Sequence, residues 1–110
     1  GRKDYVINVS GEKVNPEEIE EVVKMLEPIE EVVAIGVEHK IFGKVIKLLV
    51  KKHDEKNIDT SSIITHCKEN LERYKVPIRV EFVSNFPKNE HGKIIRFMLE
   101  ENNHGNKKDF

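Results

Sequence analysis

Val32-Val33-Ala34-Ile35-Gly36-Val37 contains no polar side chain, and a run this short has few places to go. It falls well below the roughly 20 apolar residues that a membrane span needs, and it is too short for an independent helix. Apolar residues at odd and even positions alike leave no wet face for a half-exposed strand. The run therefore predicts a strand buried on both faces and central in its sheet, with cover needed above and below. In a chain of 110 residues, one domain and one core fit around it.

The flanking segments can supply that cover. Tyr5 to Val9 is β-prone, closes on Ser10-Gly11 and returns through Lys13-Val14 as a hairpin ribbon. Asn15-Pro16-Glu17-Glu18 then combines an N-cap, a first-turn proline and a capping-box glutamate. Ile19, Val22, Val23 and Leu26 follow on one helical stripe, Glu17, Glu20, Glu21 and Lys24 face away, and Pro28 stops the helix. Past the turn-prone His39 to Gly43, the segment Lys44 to Lys52 is rich in Val, Ile and Leu and pairs as a hairpin with the first buried strand. Asp54 to Asp59 is a polar loop, and Asp59 or Thr60 caps a second helix with Ile63, Ile64, Cys67 and Leu71 on one face, ending before Lys75-Val76-Pro77. Arg79 to Val83 reads as a further strand and Phe86 to Gly92 as a loop. Ile94 to Glu101 reads as a terminal helix with Ile95, Met98 and Leu99 on one face. The order is β-β-α-β-β-α-β-α. It predicts an α+β fold, a small and mostly antiparallel sheet flanked by helices with an N-terminal β-ribbon, over residues 1–101, and a flexible tail over 102–110.

Composition removes several functions. Nineteen Lys and Arg against twenty Asp and Glu leave a formal charge of −1, which argues against a nucleic-acid partner bound through phosphate neutralisation. Glu12 to Glu31 holds eight Glu and two Lys, whereas His39 to His53 holds five Lys and no acid; both read as solvated faces. Cys67 stands alone, so no internal disulfide forms, and a reducing, cytoplasmic setting is expected. No secretory leader is visible, and the opening Gly1 in place of Met is consistent with a cut edge. No metal site is expected: there is no HExxH, no paired CxxC and no EF-hand series, and the histidines share no ligand spacing. His66-Cys67 does not make a base and nucleophile, because helix neighbours point about 100° apart and Cys67 lies on the apolar stripe, as a core thiol.

His91-Gly92-Lys93 invites comparison with a phosphate-binding P-loop, which needs Gly five residues before the Gly-Lys pair and Ser or Thr after it. Those places hold Pro87 and Ile94, so the pattern fails. What remains is a lysine at the tip of a glycine-containing loop. Taken alone it is an ordinary exposed lysine, and a cation there does electrostatic work only when a partner surface excludes water around it.

Four ordered segments carry a resemblance. GRKDYVINVSGEKVNPEEIE, the strand with GVEHKIFGK, then YKVP, and FPKNEHGKIIR resemble the C-terminal domain of adenylate-forming enzymes, the group of acyl-CoA synthetases, peptide-synthetase adenylation domains and beetle luciferases. The resemblance implies a mobile lid, inactive alone, on an N-terminal adenylation domain that converts a carboxylic acid and ATP to an acyl adenylate and then a coenzyme A thioester. ATP, CoA and Mg2+ would serve the full-length enzyme, with none held by this domain alone. Lys93 matches the lysine that approaches the carboxylate and α-phosphate, Asp4 the hinge, and Arg2 an arginine near the nucleotide; Tyr5 stands where relatives often carry a second acid. Ser10 and Gly11 match the turn lining the pantetheine path, and Lys13 a basic position near nucleotide phosphate. Phe42, Tyr74 and Lys75 match positions near the adenine and phosphate of CoA. A free-standing protein-binding or regulatory module, and an adenylation domain serving a carrier protein, are the alternatives.

Overall fold

In the computed structural model, which describes residues 5–104 and side chains through residue 100, burial on both faces extends over two strands. The chain runs β1 (Ile7–Val9), β2 (Glu12–Val14), α1 (Pro16–Lys24), β3 (Ile29–His39), β4 (Gly43–Lys52), α2 (Thr60–Asn70), a 3-10 turn (Arg73–Lys75), β5 (Arg79–Phe82) and α3 (Arg96–His104). The sheet order is β3-β4-β5, with β3 antiparallel and β5 parallel to β4, beside a separate antiparallel ribbon of β1 and β2. The apolar run is thus not central: β4 holds the middle and β3 lies at an edge. The single expected core is also divided by the sheet. Val32, Ala34, Ile46, Leu48 and Val50 face α1, α2 and the ribbon, while Val33, Ile35, Val37, Val45 and Leu49 face Phe86 and Leu99. Two-residue alternation supplies both sets from the same strands. No helix of the described residues is long and apolar enough to cross a membrane.

The start of α1 is written in its sequence. The Asn15 side chain accepts from the Glu17 N–H at 2.9 Å, Pro16 stands where its missing N–H costs nothing, and Ile19 and Val23 are fully buried. Glu20 departs from expectation, because its carboxylate is turned toward the open edge of β3 rather than toward solvent.

Asp59 is the cap of α2, its carboxylate accepting from the Ser62 N–H at 2.8 Å. Ile63 and Cys67 point inward and are fully buried. Burial pushes the Cys67 thiol up from an ordinary 9.0 to about 11. The unfolded chain therefore releases this proton at lower pH than the folded one, and folding stability falls as pH rises from 9.0 toward about 11. Urea midpoints across that range are expected to fall less in Cys67→Ala than in the parent chain; identical slopes would contradict a buried neutral thiol.

The ribbon is held against the sheet through Gly36, where a Cβ would lie 2.8 Å from Ile7 Cγ2 and 3.0 Å from Lys44 Cδ. Only glycine permits so close a crossing. At the other end of the chain, α3 begins at Arg96 and not at Ile94, because Ile94 pairs with Lys88 in a short bridge. Leu99 is buried, but Met98 is 37% exposed and does not share its face. The helix continues to His104, past the boundary expected at residue 101; residues 105–110 of the expected tail lie outside the described residues.

Candidate functional site

Backbone chemistry gives the loop before α3 its shape. Lys88 and Ile94 pair as a two-sided bridge, the Asn89 N–H donates to Lys93 O at 2.9 Å, the Gly92 N–H to Asn89 O at 3.0 Å, and the Ile95 N–H to Pro87 O at 2.8 Å. The Asn89 side-chain oxygen accepts from the His91 N–H at 2.8 Å and the Lys93 N–H at 3.0 Å, and Gly92 takes a φ of 80° that favours glycine. An ion pair of 2.8 Å from Lys88 to Glu31 fastens the loop to β3. Lys93 therefore rides on an ordered hairpin. Its side chain is exposed and makes no ion pair among the described residues.

Immediately behind the loop, Arg96 and Glu20 close the open edge of β3. The Ala34 N–H donates to Glu20 Oε2 at 2.8 Å, Arg96 Nη1 donates to Ala34 O at 3.0 Å, and Arg96 Nη2 meets Glu20 Oε2 at 2.6 Å. The two side chains satisfy the groups a neighbouring strand would otherwise bond. Burial raises the carboxyl pKa of Glu20, while the Ala34 N–H and the Arg96 guanidinium oppose that rise. The guanidinium also lies 5.2 Å over the Tyr5 ring. Tyr5, Glu20, Glu31, Gly92, Lys93 and Arg96 line one cleft of about 310 Å3. Sequence reasoning assigned no role to Asn89, Glu20 or Arg96; the signal available was that the quoted FPKNEHGKIIR segment contains Asn89 and ends on Arg96.

Other expected site residues lie elsewhere. Ser10 and Gly11 form the exposed tip of the ribbon at φ 52° and 87°, the two positive values that a two-residue hairpin turn of the primed kind requires. The Asn8 side chain accepts from the Gly11 N–H at 3.0 Å and completes that turn. Lys13 is exposed on β2 opposite Asn8. Phe42 is 62% exposed at the tip of the β3–β4 hairpin and stacks on His39 with ring centroids 4.8 Å apart. Tyr74 packs against the core, and no ring contact joins it to Phe42 among the described residues. Lys75 reaches Glu72 at 2.7 Å and Glu18 at 2.9 Å, and these carboxylates hold its ammonium well above the usual lysine range. A phosphate approaching Lys75 meets two acids already bound to it. Arg2 and Asp4 lie outside the described residues. Among the described residues no group of His, Cys, Asp and Glu could hold a metal ion.

Comparison with known proteins adds to this geometry. Residues 18–93, a range that includes Lys93, match the family model of the AMP-binding enzyme C-terminal domain. A long-chain-fatty-acid–CoA ligase of Haemophilus influenzae is 42% identical over 100 residues, 91% of this chain and 18% of that protein. A 3,4-dihydroxybenzoate–[aryl-carrier protein] ligase of Bacillus anthracis is also 42% identical over 100 residues, 91% of this chain and 23% of its own length. The crystal structure of the anthranilate CoA ligase AuaEII in complex with anthranoyl-AMP superposes with a TM-score of 0.88 at 30% identity, over 94% of this chain and 21% of that one. The chain thus spans about a fifth of the length of the proteins it matches.

Proposed function

The chain belongs to the AMP-binding enzyme C-terminal domain family, and from that premise we propose that it is the mobile lid of an ATP-dependent acid–thiol ligase. The partner is an N-terminal adenylation domain of the same polypeptide, which would hold ATP and the carboxylic acid. In this reading the lid first brings Lys93 to the carboxylate and the α-phosphate, where two anionic reactants must approach one another. A prepositioned ammonium lowers that barrier by balancing the charge, and takes no covalent part. Rotation about Asp4 then replaces Lys93 with the ribbon turn at Ser10-Gly11, past which the pantetheine arm reaches the acyl adenylate. Arg2 and Lys13 would contact the nucleotide, and Phe42, Tyr74 and Lys75 the adenine end of coenzyme A. Any magnesium accompanies ATP, and no step is assigned to a metal held by this chain.

The observation that carries the reading is Lys93, exposed on a hydrogen-bonded loop whose order does not depend on its side chain. Coenzyme A is the first choice of acceptor. A carrier-protein thiol is the second reading, favoured by the aryl-carrier ligase among the relatives. The codons upstream of Gly1 are expected to encode an adenylation domain with a Ser/Thr/Gly-rich phosphate loop followed by Lys. The 110-residue chain alone is expected to show no ATP–pyrophosphate exchange. An independently initiated gene without such a domain would overturn the reading in favour of a free-standing binding or regulatory module.

A further inference from the structure

We propose that Arg96 is a positioning residue for Lys93, fastening the lysine loop at once to the edge of β3 and to Tyr5, the residue that follows the hinge position. The inference rests on the reading of Lys93 given above. Three observations lead to it. Arg96 lies three residues beyond Lys93, at the first residue of α3, and its guanidinium makes two different bonds with its two terminal nitrogens, to Ala34 O at 3.0 Å and to Glu20 Oε2 at 2.6 Å. Both charged side chains are only 14% exposed, so the pair is shielded from competing water. The same guanidinium covers the Tyr5 ring at 5.2 Å, and Tyr5 shares one cleft with Gly92 and Lys93.

The chemistry asks for arginine in particular. A planar fork can satisfy a carbonyl, a carboxylate and an aromatic face together, whereas an ammonium has one centre to divide among them. Tyr5 offers a ring face to the guanidinium, so the link between the residue after the proposed hinge and the lysine loop is a cation–π contact. Glu20 holds the other side through α1. The Lys93 loop is thereby referenced to the body of the lid and to its point of rotation, which fixes where the ammonium arrives when the lid closes.

The test uses the complete ligase that carries this chain, with Arg96→Gln, Tyr5→Leu and Tyr5→Phe. Arg96→Gln and Tyr5→Leu are expected to slow acyl-adenylate formation by about 10- to 100-fold, the scale of a small misplacement of a catalytic group. Thioester formation from supplied adenylate should be unchanged, and Tyr5→Phe, which keeps the ring face, should behave as the parent. Hydrogen exchange on the 110-residue chain should show faster exchange at the amides of Gly92, Lys93 and Ile95 in Arg96→Gln, with Leu48 and Val50 still protected. Equal loss in both half-reactions, or an unchanged loop in the exchange experiment, would overturn the proposal. Lys93→Ala, assayed alongside, separates the two levels. If it selectively loses adenylation and the Arg96 and Tyr5 variants do not, positioning by Arg96 is wrong and the reading of Lys93 stands; if Lys93→Ala itself shows no selective loss, both fall.

Discussion

Lys93→Ala in the complete ligase is expected to lower the rate of acyl-adenylate formation by about 100- to 1,000-fold, the range seen when one prepositioned electrostatic donor is removed from a reacting centre. That corresponds to roughly 2.7–4 kcal/mol of transition-state stabilisation. The loss should not come from unfolding. The bonds that shape the loop run through the Asn89 side chain, the Gly92 turn and the backbone of Lys93, and none uses the lysine side chain. Alanine keeps the same N–H and C=O, so the thermal midpoint should match the parent. The thioester half-reaction, started from supplied acyl adenylate and coenzyme A, should proceed at the parent rate, because the proposed rotation takes Lys93 away from the reacting atoms before that step. Pyrophosphate exchange measures the first step and thiol consumption the second. Parallel loss in both would remove Lys93 from the role proposed for it and leave an exposed lysine on a well-made loop.

Why the loop was legible while its support was not can be argued from particular residues. Lys93 stood out through the resemblance of the contiguous FPKNEHGKIIR segment, and the turn that carries it is local, with Asn89, Gly92 and Lys93 lying within five positions. The clamp behind it joins residues far apart along the chain, Arg96 to Glu20 across 76 positions and Arg96 to Ala34 across 62. Local pattern cannot register such pairs. Glu20 follows Ile19 on α1 and has the helical phase of a solvated residue; what turns it inward is the open edge of β3, which exists only once the sheet has formed. The same fact explains the misplaced centre of the sheet. Apolar residues on both faces of β3 report packing above and below, whereas hydrogen-bond neighbours lie in the plane, and here one side of that plane is filled by side chains of α1 and α3. Lys75 follows the same rule: its two acids include Glu18, 57 positions away, and sequence alone left its ammonium available. The caps of α1 and α2 and the ribbon turn involve contacts of two or three positions, and each was readable.

Gly11→Leu should produce the opposite dissociation, with thioester formation reduced about 100-fold and acyl-adenylate formation retained. Gly11 occupies φ 87° at the tip of the ribbon, and a Cβ built there meets nothing within 4 Å of this chain. A leucine side chain would therefore project away from the lid, into whatever passes over the turn. The left-handed backbone imposes a cost of about 1–2 kcal/mol on any residue with a Cβ, against a typical domain stability of about 5–15 kcal/mol, so the lid still folds. Gly11→Ala separates strain from obstruction: it carries the same backbone cost with almost none of the reach. If a thiol-bearing arm runs past Ser10 and Gly11, alanine should retain most of the thioester rate and leucine should lose it, while urea midpoints of the two variants fall together. Matched losses in alanine and leucine would locate the effect in the turn's own conformation, and full thioester activity in both would take the ribbon out of the acceptor's route.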